Sequence, residues 1–139
     1  MKHSKRFKYF QPNEKDIKDK TGDCQIRALC KVLGVSWVEA FDLTIPICRE
    51  LQTYTIFDCD HNKTKEAMES IGFKYTGISN KRGSKRPTID SFAKEHPSGS
   101  YIATVANHVV AIVDGNYYDT WDSGYKSMYG FYELIDRKE

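Results

Sequence analysis

Residues 107–118, Asn107-His108-Val109-Val110-Ala111-Ile112-Val113-Asp114-Gly115-Asn116-Tyr117-Tyr118, constrain this chain more than any other stretch. An apolar run, an Asp-Gly pair and an aromatic run read as a β-hairpin, because Asp-Gly tolerates the positive φ angles that a tight two-residue turn demands. The ends of the hairpin are polar in an unusual way: His108 opens the first strand, and Asp119 and Asp122 follow the second. With a two-residue turn, Val113 pairs with Asn116 and the register carries Val110 opposite Asp119. Side chains alternate between faces along a strand, so His108, Val110 and Asp119 share one face. Asp119 then lies diagonal to His108, roughly 6–8 Å away between β-carbons, within reach of a carboxylate–imidazole hydrogen bond. A three-residue turn would bring Asp122 into play instead. Asp-Gly favours the shorter turn, so Asp119 is the expected partner.

A histidine oriented by a carboxylate calls for a nucleophile, and Gly22-Asp23-Cys24-Gln25 supplies one. From Asp23 to Leu33 the apolar positions Cys24, Ile26, Ala28, Leu29, Cys30, Val32 and Leu33 recur at helical spacing, and Gly34 is a C-terminal stop. Cys24 therefore falls in the first helical turn. Unpaired backbone N–H groups and the positive end of the helix dipole favour a thiolate there.

The remaining pattern places helices before strands. Ser36-Trp37-Val38-Glu39 is a capping box opening a helix toward Leu51, which Pro46 is expected to kink or split. Residues 62–71 form a third helix stopped by Gly72, and Phe73 to Thr76 a short strand. Thr88 caps a helix from Ile89 to Glu95; segments 100–106, 107–113, 116–121 and 128–135 read as strands, while 53–57 is ambiguous. Residues 1–20 read as an arm lying on the domain. Helices followed by antiparallel strands make an α+β order, with N-terminal helices packed on a C-terminal antiparallel sheet in a single domain spanning 1–139.

Composition narrows the class. The 139 residues are 40% hydrophobic and 29% charged, which suits a globular core and argues against long disorder. No apolar run approaches membrane-spanning length, and no apolar segment follows the basic N-terminus, so neither a membrane partner nor secretion is expected. The location expected is cytoplasmic, with the four cysteines, 24, 30, 48 and 59, reduced. Cys30 and Cys48 read as small core residues. Cys59-Asp60-His61 contains metal-ligand types but lacks the paired spacing of a zinc site, so neither metal nor cofactor is expected. Basic residues cluster at 2–8 and 79–87, but the net charge is only +2 and no stacking aromatics interleave with the second cluster. Nucleic acid is not the expected partner.

Cysteine catalysis needs a thiolate to attack a carbonyl, a histidine to take and return the proton, and a carboxylate or amide to orient the histidine. The chain resembles papain-like cysteine peptidases of minimal size, closest in pattern to bacteriocin-processing peptidase domains and small papain-like proteins of bacteria and phages. The matching pieces are Gly22 to Leu29, His108 to Gly115 and Tyr118 to Asp122. The resemblance implies a papain-like α+β fold with Cys24 as nucleophile, His108 as base and Asp119 as orienting acid. It implies hydrolysis of a peptide or related amide, a protein chain included, through a thioester. Gln25, Asn107, Trp121 and Tyr125 are the expected groove residues. One departure stands out: papain-like enzymes place Gln or Asn five or six residues before the cysteine as an oxyanion donor, and here those positions hold Asp19 and Lys18. The alternative reading is therefore an inactive papain-like module that binds a partner through the same cleft or through 79–87. A nucleic-acid binder using 2–8 and 81–86 is the third.

Overall fold

Asp114 and Gly115 both take positive φ, 48° and 80°, in the computed structural model, which describes residues 4–79 and 85–136. That is the expected two-residue turn, and Val113 pairs with Asn116 across it. The cluster at 79–87 is thus described only at its two ends, and the basic tip only from residue 4 onward.

The elements in chain order are β1 (Phe7–Tyr9), α1 (Cys24–Leu33), α2 (Trp37–Leu51), α3 (His61–Ile71), β2 (Phe73–Gly77), α4 (Ile89–Glu95), β3 (Ser100–Val105), β4 (His108–Val113), β5 (Asn116–Asp119) and β6 (Gly130–Leu134). The six strands form one sheet in the order β1-β5-β4-β3-β6-β2. The α+β class holds. The all-antiparallel sheet does not: β1 runs parallel to β5, with Phe7, Lys8 and Tyr9 opposite Tyr117, Tyr118 and Asp119, so the sheet is mixed. Residues 7–9 are accordingly a strand of the sheet and not merely an arm laid over it. Three residues are too few to display a period-two pattern, and their partner lies more than a hundred residues away, so no local signal marks them.

Strand alternation divides the core in two. Val109 and Ala111 face Ile26, Leu29, Cys30 and Leu33 of α1, in a cluster that α2 and α3 complete with Ala40, Cys48, Met68 and Ile71. Val110 and Ile112 face the other way, toward Ile89, Phe92 and Ala93 of α4. The caps form as read: Ser36 and Glu39 make the box of α2, and Thr88 accepts from Ser91 at α4. Pro46 does not split α2, which runs unbroken from Trp37 to Leu51. Its ring removes the donor that would reach the Asp42 carbonyl, but both residues are exposed, so water can satisfy that group. Among the described residues no helix is long and apolar enough to cross a membrane.

Candidate active site

The end of the sheet where β4 begins and β5 finishes meets the start of α1. His108 Nε2 donates to Asp119 Oδ2 at 2.6 Å, the diagonal pairing that strand parity requires. Asp122 takes no part; its Oδ1 accepts from the Tyr117 hydroxyl at 2.5 Å and from the Gly124 N–H at 3.0 Å. Asp119 is 2% exposed, and its carboxylate is held from every side. It accepts from the Thr120 N–H at 2.8 Å, from Ser123 Oγ at 2.8 Å and from Arg27 Nη2 at 3.4 Å. With Nε2 so occupied, Nδ1 is the ring nitrogen left to serve Cys24, which lines the same cleft.

Cys24 is the first residue of α1. Burial pushes its thiol up, but the His108 side chain, the Val109 N–H and the positive charges of His108 and Arg27 outweigh that and hold it below the ordinary value. The Val109 N–H is free for this because β5 ends at Asp119, one residue short of the position that would face Val109 in the established register. Burial lowers His108 in turn, while its bonds to Asp119 and Cys24 raise it, with a net rise to about 9. Between the lowered value of Cys24 and about 9, the stable form is a thiolate–imidazolium pair.

Behind this pair lies a buried ionic network. Arg27, one turn along α1, is 8% exposed and bonds Asp23 on one side while reaching Asp119 on the other. Asp23 also accepts from Trp37 Nε1 at 2.8 Å, which docks α2 onto the site. The two carboxylates and the guanidinium are buried, and together with the thiolate–imidazolium pair at the cleft they carry one net negative charge. Among the described residues the Arg27 Nε hydrogen has no partner. Neither Arg27 nor Ser123 was singled out by the sequence pattern. The available signal was a lone arginine between Ile26 and Ala28, on the apolar side of an amphipathic helix and four residues after Asp23.

A cleft of about 360 Å³ opens beside the sulfur, lined by Cys24, His108, Asn107 and Thr104 on one side and by Thr55, Phe57 and Asp58 on the other. Asn107 sits in the β3–β4 turn at φ 53°. Trp121 inclines over the imidazole at 30°, with ring centres 5.0 Å apart, and remains 40% exposed. Tyr125 is 72% exposed and, like Trp121, stands outside the cleft lining. Gln25 does not line the cleft: it is 5% exposed, and its Oε1 accepts from the Ile56 N–H at 2.8 Å. The second residue of α1 points inward, so its amide anchors the loop that carries Thr55, Phe57 and Asp58. Gln25→Ala leaves that buried donor unpaired and is expected to lower stability by about 1–3 kcal/mol, read as a lower urea midpoint with unchanged slope.

The Gln11 side chain, which could have folded in as an oxyanion donor, is turned toward Asp19, with one Nε2 hydrogen donated to Asp19 Oδ1 at 2.8 Å. The Thr21 N–H is likewise taken, by Asp16 at 2.9 Å. What remains is the first turn of α1, which Asp23 leaves without a side-chain cap because its carboxylate serves Arg27 and Trp37. Cys59, away from the site, contacts the Ile56 carbonyl at 3.0 Å and Thr64 Oγ1 at 3.2 Å. Compared with known proteins, the chain matches no protein-family model, no curated protein and no solved structure.

Proposed function

We propose that this chain is a thiol hydrolase of the papain-like type, cleaving a peptide or related amide through a thioester on Cys24. The observation that carries the proposal is the His108–Asp119 bond at 2.6 Å in the cleft that Cys24 shares with His108, with the thiol lowered against its burial. In the proposed cycle the thiolate attacks the carbonyl carbon, and the carbon–oxygen π pair moves onto oxygen. The uncapped first turn of α1 offers the backbone N–H of Cys24 to that oxyanion. Collapse breaks the C–N bond, and the amine leaves with the proton of the imidazolium. Water then yields a proton to His108 and attacks the thioester; the C–S bond breaks, releasing the acid and restoring the ion pair. Asp119 holds the ring by accepting from Nε2 throughout, and Trp121 covers it. A reduced thiol at Cys24 suits a reducing compartment such as the cytoplasm.

The test is native-state alkylation. Iodoacetamide at pH 7 is expected to modify Cys24 well before Cys30 and Cys48, whose thiols burial raises, Cys30 to about 11. Equal rates at the three positions would sink the hydrolase reading. The engaged Gln11 amide favours a second reading, a papain-like module that binds without turnover. Loss of one oxyanion donor costs about 10²–10³ in rate. A protein that labels quickly at Cys24 yet cleaves no peptide amide would support that module.

A further inference from the structure

We infer that the cleft beside Cys24 selects substrates carrying a lysine or arginine side chain next to the scissile carbonyl, and that Asp58 is the residue that selects them. The inference rests on the hydrolase reading above and names its substrate class. Apart from the Cys24–His108 pair, Asp58 is the one charged residue lining the cleft among the described residues; Thr55, Phe57, Thr104, Val105, Asn107 and Val109 carry no charge. Its side chain is exposed and makes no hydrogen bond or ion pair among the described residues. The other carboxylates near the sulfur cannot compete for a substrate cation, because Asp23 and Asp119 are buried and already bound to Arg27.

Position is as telling as charge. The backbone that carries Asp58 is tied down: its N–H donates to the Thr55 carbonyl at 3.3 Å, and the Ile56 N–H is held by Gln25 at 2.8 Å. The anchored backbone keeps Asp58 at the cleft, and its exposed carboxylate stays open to a substrate cation. Beside it, the half-buried Phe57 ring packs edge-on against Tyr132, with centroids 5.7 Å apart, and turns an apolar wall to the cleft. An apolar wall leading to a carboxylate suits a side chain with an alkyl stem and a cationic tip. A glutamate in the same place would meet Asp58 and the Cys24 thiolate together.

The experiment uses the full chain and thiol-reactive peptidyl acyloxymethyl ketones differing only in Lys, norleucine or Glu at either of the two residues nearest the reactive carbonyl. Each rate is divided by the same variant's rate with iodoacetamide, which is uncharged and has no side chain to reach Asp58. The lysine reagent is expected to label Cys24 about tenfold faster than the glutamate reagent, a contrast that falls with added salt. Asp58→Asn is expected to remove most of the contrast and Asp58→Lys to reverse it. Equal lysine and glutamate rates, on a Cys24 that iodoacetamide labels selectively, overturn the specificity alone. A Cys24 that iodoacetamide does not label selectively overturns the hydrolase reading and the specificity with it.

Discussion

His108→Ala is expected to move the midpoint of the Cys24 alkylation profile upward and to reduce peptide hydrolysis by about 10²–10⁴-fold. The thiol is half-buried, which by itself disfavours the anion, and most of what opposes burial comes from His108, as hydrogen-bond partner and as positive charge. Without the ring only the Val109 N–H and the more remote Arg27 remain. Nucleophilicity rises with thiol pKa, so the alkylation rate at pH 7 should fall only about three- to fourfold for each unit that the midpoint climbs. On the proposed hydrolase reading, hydrolysis should fall much further, because the amine also loses its proton donor. A variant whose midpoint stays where the parent's lies would show that the helix terminus alone activates Cys24. The same pair sets the pH limits: reactivity should appear as pH rises through the lowered value of Cys24, and hydrolysis should decline as His108 deprotonates near 9.

Stability follows from the same shifts with opposing signs. The folded value of His108 is raised, so its contribution is complete below about 6.5 and is lost as pH rises through about 9. The folded value of Cys24 is lowered, so its contribution is present above 9.0 and is lost as pH falls through the folded value. The two offset each other in the parent protein. In Cys24→Ala the His108 contribution keeps the support of Asp119 and loses that of Cys24, so any fall of the urea midpoint above pH 6.5 should be complete at a pH below the parent's 9.

Arg27→Met is expected to destabilise the fold by about 3–5 kcal/mol, the usual cost of stripping one partner from a buried ionic network. Asp23 and Asp119 are 5% and 2% exposed, and without the guanidinium they stand as buried carboxylates short of a cation. Arg27→Lys should fall between the two, since an ammonium keeps the charge but lacks the fork that reaches Asp23 and Asp119 together. Equilibrium urea unfolding measures both variants. An Arg27→Met midpoint equal to the parent's would mean that the guanidinium adds no net stability to the two carboxylates. Arg27 also leaves its Nε hydrogen unpartnered among the described residues, which subtracts from what the network adds to stability. Its placement between Asp23 and Asp119 instead fixes the carboxylate that fixes the imidazole.

Local rules written into the sequence determined much of this. Helical spacing with Gly34 and Gly72 bounded α1 and α3, the Ser36–Glu39 box began α2, and Asp114-Gly115 set the hairpin register. Because side chains alternate along a strand, that register alone was enough to choose Asp119 over Asp122. Each of these inferences rests on residues a few positions apart, where backbone geometry acts without help from the rest of the fold.

Tertiary structure decided what depends on distant pairing. The parallel edge strand Phe7–Tyr9 exists because Tyr117 to Asp119 lie beside it. Arg27 is a core residue and not a surface one because two carboxylates, one local and one 92 positions away, converge on it. Gln25 turned inward to hold Ile56, and that bond brought Phe57 and Asp58, part of a stretch with no local pattern, to the mouth of the cleft. A sequence shows which groups could ionise or donate. Burial and partners, which packing alone supplies, determine which of them do.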